Sequence, residues 1–201
     1  MPRWESDAQG RLERAALDLF ETHGFDRTSV AQIADAAGLK ERSFYRYFPD
    51  KREVLFAGGE LEAHLVGQVE AADPGLAPVD VLLSALGSAE RLLRPRGYLR
   101  RRGRVIAANP ALAERDLIKL ADIAEALTPA LERRGVDPGT ARFVVDVVLA
   151  IHRRAVSRWL AEEDATLAQL MAEATAELRA AMAAPPRTSP GPTEDRDPGS
   201  S

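Results

Sequence analysis

Apolar residues recur at helical spacing along almost the whole chain, and no sustained two-residue alternation of β-branched and aromatic positions marks a substantial sheet. The pattern predicts an all-α protein. A first helix from Gln9 to His23 carries Leu12, Ala16, Leu19 and Phe20 as one stripe, and Gly24 ends it as a cap residue. A second, from Ser29 to Ala36, turns Val30, Ile33, Ala34 and Ala37 inward, with Thr28 or Ser29 placed to cap its free N–H groups. Gly38 makes the following turn, because a residue without Cβ tolerates positive φ. A third helix, from Lys40 to Phe48, sets Phe44 and Phe48 four residues apart on one face, and Pro49-Asp50 breaks it.

Beyond that point, breaks at Asp73-Pro74-Gly75, Pro78, Pro95-Arg96-Gly97, Asn109-Pro110 and Asp137-Pro138-Gly139 divide the chain. Helices are predicted over 51–72, 79–94, 98–108, 111–134, 139–163 and 165–183. Gly58 and Gly59 fall inside the first of these, where each glycine costs roughly 1 kcal/mol relative to alanine. Close helix approach and a kink are both open readings of that pair. Residues 185–201 hold five prolines, no aliphatic anchor and mixed charge, the composition of a disordered tail.

The chain's 201 residues, 45% of them hydrophobic and 29% charged, are enough for a substantial core in one or two domains. No apolar run approaches the roughly 18–20 residues that span a bilayer, and the first residues lack the apolar segment of a secretory signal. A chain without cysteine has neither disulfides nor thiolate metal sites, which fits a cytoplasmic setting. The formal net charge of −4 argues against a strongly basic nucleic-acid binder, so any such surface must be local. Residues 40–52 supply one: Lys40, Arg42, Arg46, Lys51 and Arg52 face only Glu41 and Asp50. Screening over roughly 8 Å lets this patch act apart from distant acids.

Two short helices joined by a glycine-containing turn form the helix-turn-helix unit, which bland helical hairpins also match. The residues narrow the choice. Ala15 to Phe20, Gly24-Phe25, Thr28-Ser29-Val30, Ile33-Ala34, Ala37-Gly38, Phe44-Tyr45, Tyr47-Phe48 and Lys51 follow the N-terminal pattern of the TetR family, which residues 11–56 strongly resemble. One departure is Lys40, where the family often places Ser as the cap of the third helix; the loss is about 1 kcal/mol for an isolated helix.

Phe44 and Phe48 are expected to anchor the third helix and leave Glu41, Arg42, Arg46 and Tyr47 facing outward. A helix from Lys40 to Phe48 is about 13 Å long at ~1.5 Å per residue and suits a major groove ~12 Å wide. Arg42 and Arg46 carry the fork that pairs with guanine O6 and N7, and Glu41 can accept from cytosine N4. The resemblance implies phosphate contacts from Ser43, Tyr45, Tyr47 and Lys51, with Thr28, Ser29 and Lys40 completing the DNA-facing set. Packing under the fourth helix is the competing reading for both tyrosines, and a solvated charge is the competing reading for Arg42.

From about residue 54 the resemblance continues into the family's helical ligand-binding and dimerisation domain. Residues 100–127 are similar to the branch with an acyl-CoA-like ligand-binding domain. The implied organisation is a DNA-binding domain over 1–52, a ligand-binding and dimerisation domain over 53–184, and the tail. Arg91, Arg94, Arg96, Arg100, Arg101, Arg102 and Arg104 lie together with no acid among them. They read as an anionic-ligand site, as charges paired to acids elsewhere, or as a contact between the two domains. Arg100, Arg101 and Arg104, with His64 and His152 on helices able to line a pocket, are the candidate ligand residues. Val144, Val148, Ile151, Ala155 and Trp159, then Leu167, Leu170, Met171, Ala174 and Leu178, form stripes on the last two long helices. The resemblance implies a homodimer through these helices, although part of each stripe must be internal core. Two recognition helices about 34 Å apart then meet successive major grooves.

Catalytic and metal-binding patterns do not emerge. His23, His64 and His152 are widely separated, and no HExxH, phosphate-binding loop or dinucleotide fingerprint is present. No cofactor, metal or enzymatic activity is expected, and no membrane partner. The expected function is transcriptional regulation: a dimer on a palindromic double-stranded operator, released by a hydrophobic or amphipathic small-molecule effector. A helical enzyme or adaptor with a non-functional helix-turn-helix is the alternative from another class. Activation in place of repression is open within the same class.

Overall fold

The computed structural model describes residues 7–56 and 59–183, and no strand occurs among them. Helix α1 (Ala8–His23) buries Leu12, Ala16, Leu17 and Phe20. It stops at Gly24, whose φ of 86° is closed to most side chains and whose N–H donates back to the Phe20 carbonyl at 3.0 Å. Helix α2 (Val30–Ala36) starts from a reciprocal cap. The Gln32 N–H donates to Ser29 Oγ at 3.2 Å, and the Ser29 N–H donates to Gln32 Oε1 at 2.8 Å. Of the two residues able to cap, Ser29 does so. The chain reverses at Gly38, with φ 67°.

Helix α3 is shorter than the pattern predicts, covering only Glu41–Phe44 of the expected 40–48. Lys40 stands at its N-cap without a side-chain bond, and the backbone then coils into turns in which the Tyr47 and Phe48 N–H groups both donate to the Phe44 carbonyl. Pro49 keeps the helix from reaching Phe48: it disfavours the helical region for Phe48 and supplies no N–H for the Tyr45 carbonyl. The helix expected from Lys51 also begins later. Asp50 Oδ1 accepts from the Arg52 and Glu53 N–H groups at 2.7 and 3.2 Å, a 3-10 turn follows at Glu53–Leu55, and α4 spans Gly59–Ala71. Of the predicted glycine pair, Gly59 opens this helix and Gly58 lies outside the described residues, as does the expected tail.

The remaining elements are α5 (Pro78–Ser88) with a 3-10 turn at Ala89–Leu92, α6 (Arg96–Ala107), α7 (Pro110–Arg133), α8 (Pro138–Ala161) and α9 (Leu167–Ala183). Asn109 and Asp137 cap α7 and α8, each beside a proline at the first helical position, where the missing N–H costs nothing. Helix α7 runs through Pro129. The ring faces solvent there, where water can meet the Glu125 carbonyl that it leaves without a donor.

Two apolar cores result. The larger joins α4, α5, α7, α8 and α9 through Leu65, Leu82, Leu127, Leu131, Val145, Trp159 and Leu170. The smaller gathers α1, α2 and α3 around Phe20, Ile33, Phe44 and Phe48, and takes in Val54, Leu55, Phe56, Val105, Ile106 and Leu112. The C-terminal half of α6 thus contributes to the core of the N-terminal unit. Most of the two stripes on α8 and α9 is internal core: Val148, Ile151, Ala155, Trp159, Leu167, Leu170, Met171 and Ala174 are buried within the chain, with Val144 half-buried and Leu178 exposed. The large apolar side chains left exposed on these two helices are Phe143, Leu178 and Met182.

Candidate nucleic-acid interface

Phe44 and Phe48 are 0% and 2% exposed, with ring centroids 5.3 Å apart. Burying each ring stabilises the unit by roughly 2–3 kcal/mol and sets the rotation of α3 about its axis. Glu41, Arg42 and Arg46 consequently face solvent. Tyr45 is 55% exposed and meets Phe44 edge-on. Tyr47 is half-buried and does both jobs weighed for it: its ring packs on the smaller core, while its hydroxyl accepts from Arg46 Nη2 at 3.0 Å. Ser43 is half-buried, and Lys40 and Ser29 are exposed. Together these residues form a cationic surface with hydroxyl groups between the charges, suited to phosphate oxygens and base edges.

Two members of the expected set are placed differently. Thr28 is buried, and its hydroxyl donates to the Gly24 carbonyl at 2.8 Å, so it braces the α1–α2 turn and does not join the outer surface. Lys51 Nζ donates to the Phe25 and Thr28 carbonyls at 2.6 and 2.9 Å and sits 4.1 Å from the centre of the Phe25 ring. Burial pushes this ammonium's pKa down, opposed by the nearby Asp26 carboxylate. Lys51 is therefore an internal clamp on the α1–α2 turn, with two of its three donors spent. A lysine just past a helix break gives no local sign of that role.

Six of the seven arginines of 91–104 meet protein partners, while Arg91 is exposed and takes none among the described residues. Arg94 pairs with Glu13, a carboxylate buried in α1 that also accepts from Gln9 at 3.0 Å. Arg101 holds Asp18 and Glu21, and Arg104 reaches Glu21 at 3.2 Å. Arg102 donates to the Leu55 carbonyl at 2.6 Å and pairs with Asp116, while Arg100 pairs with Glu163. Arg96 stacks on Trp159 at 4.4 Å and donates to the Glu162, Glu163 and Ala165 carbonyls. Arg100, Arg101 and Arg104, the candidate ligand residues, each face a carboxylate of the protein, and Arg104 stays largely exposed with only one nitrogen engaged. What the cluster builds is a seam. Helix α6 is fastened to the α8–α9 corner at its start and to α1 along its length.

The seam alters its own chemistry. Hydrogen bonding from Arg101 holds Glu21 below the usual carboxylate range against the opposing effect of burial, and Arg104 adds to it. Tyr98, half-buried on α6, is pushed up to about 12 by burial and by the negative charge of Glu13. Sequence reasoning missed Glu13 and Arg115, whose guanidinium grips both oxygens of Glu53. An acid beside Leu12 on an otherwise apolar face was the available signal for the first.

The remaining candidates are separate. His64 Nε2 lies 3.1 Å from Ser88 Oγ, and since the Ser88 proton goes to the Ala85 carbonyl, the histidine is the donor. His152 on α8 keeps part of its surface open, yet desolvation drives its pKa down to about 4, so it is neutral at pH 7. Among the described residues no hydrogen bond joins the two histidines, no group of three metal-ligating side chains forms, and no helix is long and apolar enough to cross a membrane.

Known proteins share this arrangement. The family model for bacterial regulatory proteins of the tetR family matches residues 13–57, and the model of the MftR C-terminal domain matches residues 76–183. The putative mycofactocin biosynthesis transcriptional regulator MftR of Mycobacterium tuberculosis is 27% identical over 179 residues, covering 86% of this chain and 89% of that protein. The HTH-type transcriptional repressor LfrR of Mycolicibacterium smegmatis is 33% identical over 150 residues, covering 71% of this chain and 78% of the repressor. Among solved structures, Thermus thermophilus FadR, a TetR family repressor in complex with lauroyl-CoA, superposes with a TM-score of 0.52 at 25% identity, covering 91% of this chain and 99% of FadR. With a helix-turn-helix at one end, a helical bundle at the other and relatives matched over both, the chain belongs to the TetR family of transcriptional regulators.

Proposed function

We propose that the chain is a repressor that grips a palindromic operator as a homodimer and lets go when a small apolar or amphipathic molecule enters its C-terminal domain. The observation that carries the DNA-binding half is the buried Phe44–Phe48 pair, which turns Arg42, Arg46 and Tyr45 outward together. Ser29, Lys40, Glu41, Ser43 and Tyr47 border the same surface and complete the proposed contacts. The proposed division of labour is a reading head ending near residue 52 and a responding domain over 53–184, working in the cytoplasm where the operator is.

Repression and ligand response are supported by relatives: LfrR is named a repressor, and FadR is a repressor seen with lauroyl-CoA. The dimer is assigned to the outer faces of α8 and α9, where Phe143 is 68% exposed and Leu178 and Met182 lie open, an unusual cost for helices left in water. A single head of this size makes too few contacts for a specific site, and two heads one helical turn apart repair that.

Footprinting on DNA flanking the protein's own gene tests the proposal. A protected palindrome is expected, with half-sites about one helical turn apart. Lauroyl-CoA, as the first effector probe, should weaken protection, and operator DNA should weaken lauroyl-CoA binding by the same factor. A chain that protects no site, and whose DNA affinity ignores salt, would instead be a helical adaptor or enzyme with an idle head.

A further inference from the structure

Where α1 turns toward α2 and α6 turns toward α7, the two corners leave a half-open hollow of about 530 Å³. Neither the operator-facing surface nor the core of the larger bundle contains it. Its volume falls within the roughly 300–1,000 Å³ of small-molecule sites, and junctions between domains are where such sites concentrate. Phe20, Phe25, Val105 and Ala108 supply apolar wall, and Arg27 and Arg104 supply charge. Phe20 is largely covered and meets Phe25 edge to face at 5.1 Å and 63°, so the half-buried Phe25, with Lys51 over its ring, supplies most of the open aromatic surface.

The balance of charge selects the ligand. Of the two acids at the rim, Glu21 is already held by Arg101 as well as Arg104, and Asp26 is exposed at the edge, with part of its field reaching Lys51. The cations are less satisfied. Arg27 donates its Nε to the His23 carbonyl, and no ion pair engages it among the described residues. Arg104 gives one nitrogen to Glu21 and is 68% exposed. Two guanidinium forks with donors to spare, beside an aromatic and aliphatic wall, match a planar ring system bearing one carboxylate.

We propose that this hollow binds aromatic carboxylates of one or two fused rings, the ring lying on Phe20, Phe25, Val105 and Ala108 and the carboxylate on Arg27 and Arg104. The site is coupled to the seam, because the ligand carboxylate and Glu21 compete for Arg104. Occupancy therefore loosens one of the ion pairs that hold α1 to α6.

The test titrates 2-naphthoate into the full chain and follows the methyl NMR signals of Val105 and Ala108. Saturable shifts with a dissociation constant below about 1 mM are expected. 2-Naphthol, with the same rings and no carboxylate, should bind about tenfold more weakly, as should 2-naphthoate to Arg27→Gln. Ala108→Trp fills the hollow at an exposed position and should abolish the shift at Val105. Absence of saturable shifts, equal binding of naphthol and naphthoate, or undiminished binding by both Arg27→Gln and Ala108→Trp each overturns the proposal. If Ala108→Trp does not fold, the naphthol comparison and Arg27→Gln decide alone. None of these readouts involves DNA, so failure here leaves the operator-binding reading standing, and the reverse also holds.

Discussion

Arg101 of α6 donates its Nε to Glu21 of α1 at 2.7 Å, joining residues 80 positions apart in the chain. The contact fixes the angle between the DNA-facing unit and the bundle at a point where both helices reach the surface. An exposed pair of this kind contributes little to global stability, about 0–1 kcal/mol. Its weight lies in orientation. Arg101→Ala should shift the unfolding midpoint slightly while speeding amide exchange along α1, and the Glu21→Gln and Arg101→Ala effects should not add in a double-mutant cycle. Since Glu21 is held below its ordinary range in the folded state, the contact's contribution is complete above the unfolded carboxylate value and is lost as pH falls through the lowered one. Protection factors along α1, which divide out the intrinsic pH dependence of exchange, should thus be flat near neutrality and fall only in acid.

Removing a ring from the anchor pair should be far more costly. Phe44→Ala deletes a fully buried side chain from the smaller core and is expected to destabilise by roughly 3–5 kcal/mol in urea titration. Tyr45→Ala, on the same turn but exposed, should stay within about 0.5 kcal/mol of the parent. Equal effects for the two substitutions would mean that the turn is not seated as described.

The start of α2 depends on a two-way cap. Ser29→Ala removes the acceptor for the Gln32 N–H and should destabilise by about 1 kcal/mol. Gln32→Ala should cost a smaller amount, because the Ser29 N–H is at the surface and water replaces the lost acceptor. Denaturant midpoints at constant slope check both.

His152 makes the larger bundle sensitive to acid. With a folded pKa of about 4, reached by desolvation, the ring resists the proton that the unfolded chain accepts near 6.5. The unfolded state therefore binds more protons between these values, and stability falls as pH drops through that window. The loss is at most about 3 kcal/mol, given the part of the ring still open to solvent. His152→Leu should flatten the stability profile between pH 6.5 and 4, as read from thermal midpoints across the range.

The features legible in the sequence are those written locally. Phe44 and Phe48 at helical spacing, Gly38 at the reversal, and the proline breaks all carry their meaning within a few residues, and the structure uses each as expected. The length of α3 was overdrawn because Pro49 acts upstream of itself, on the conformation of Phe48 and on the Tyr45 carbonyl that it leaves without a donor. The stripes on α8 and α9 marked buried faces without saying what buries them, since a periodic pattern is the same for an internal core and for an interface. The arginines of α6, and Arg94 just before it, could not be assigned from sequence for a related reason. Their partners, Glu13, Asp18 and Glu21, lie in another helix some 80 positions earlier, and only the folded packing of α1 against α6 brings them together.

If the outward face set by Phe44 and Phe48 engages duplex DNA as proposed, affinity must depend on salt. Fluorescence anisotropy with labelled duplex, repeated across salt concentrations, should give a negative slope of log K against log salt. Arg42→Ala and Arg46→Ala should each weaken binding, and a cation that serves a phosphate should reduce the steepness of the slope by about one. A slope near zero, or one left unchanged by both substitutions together, would contradict the account.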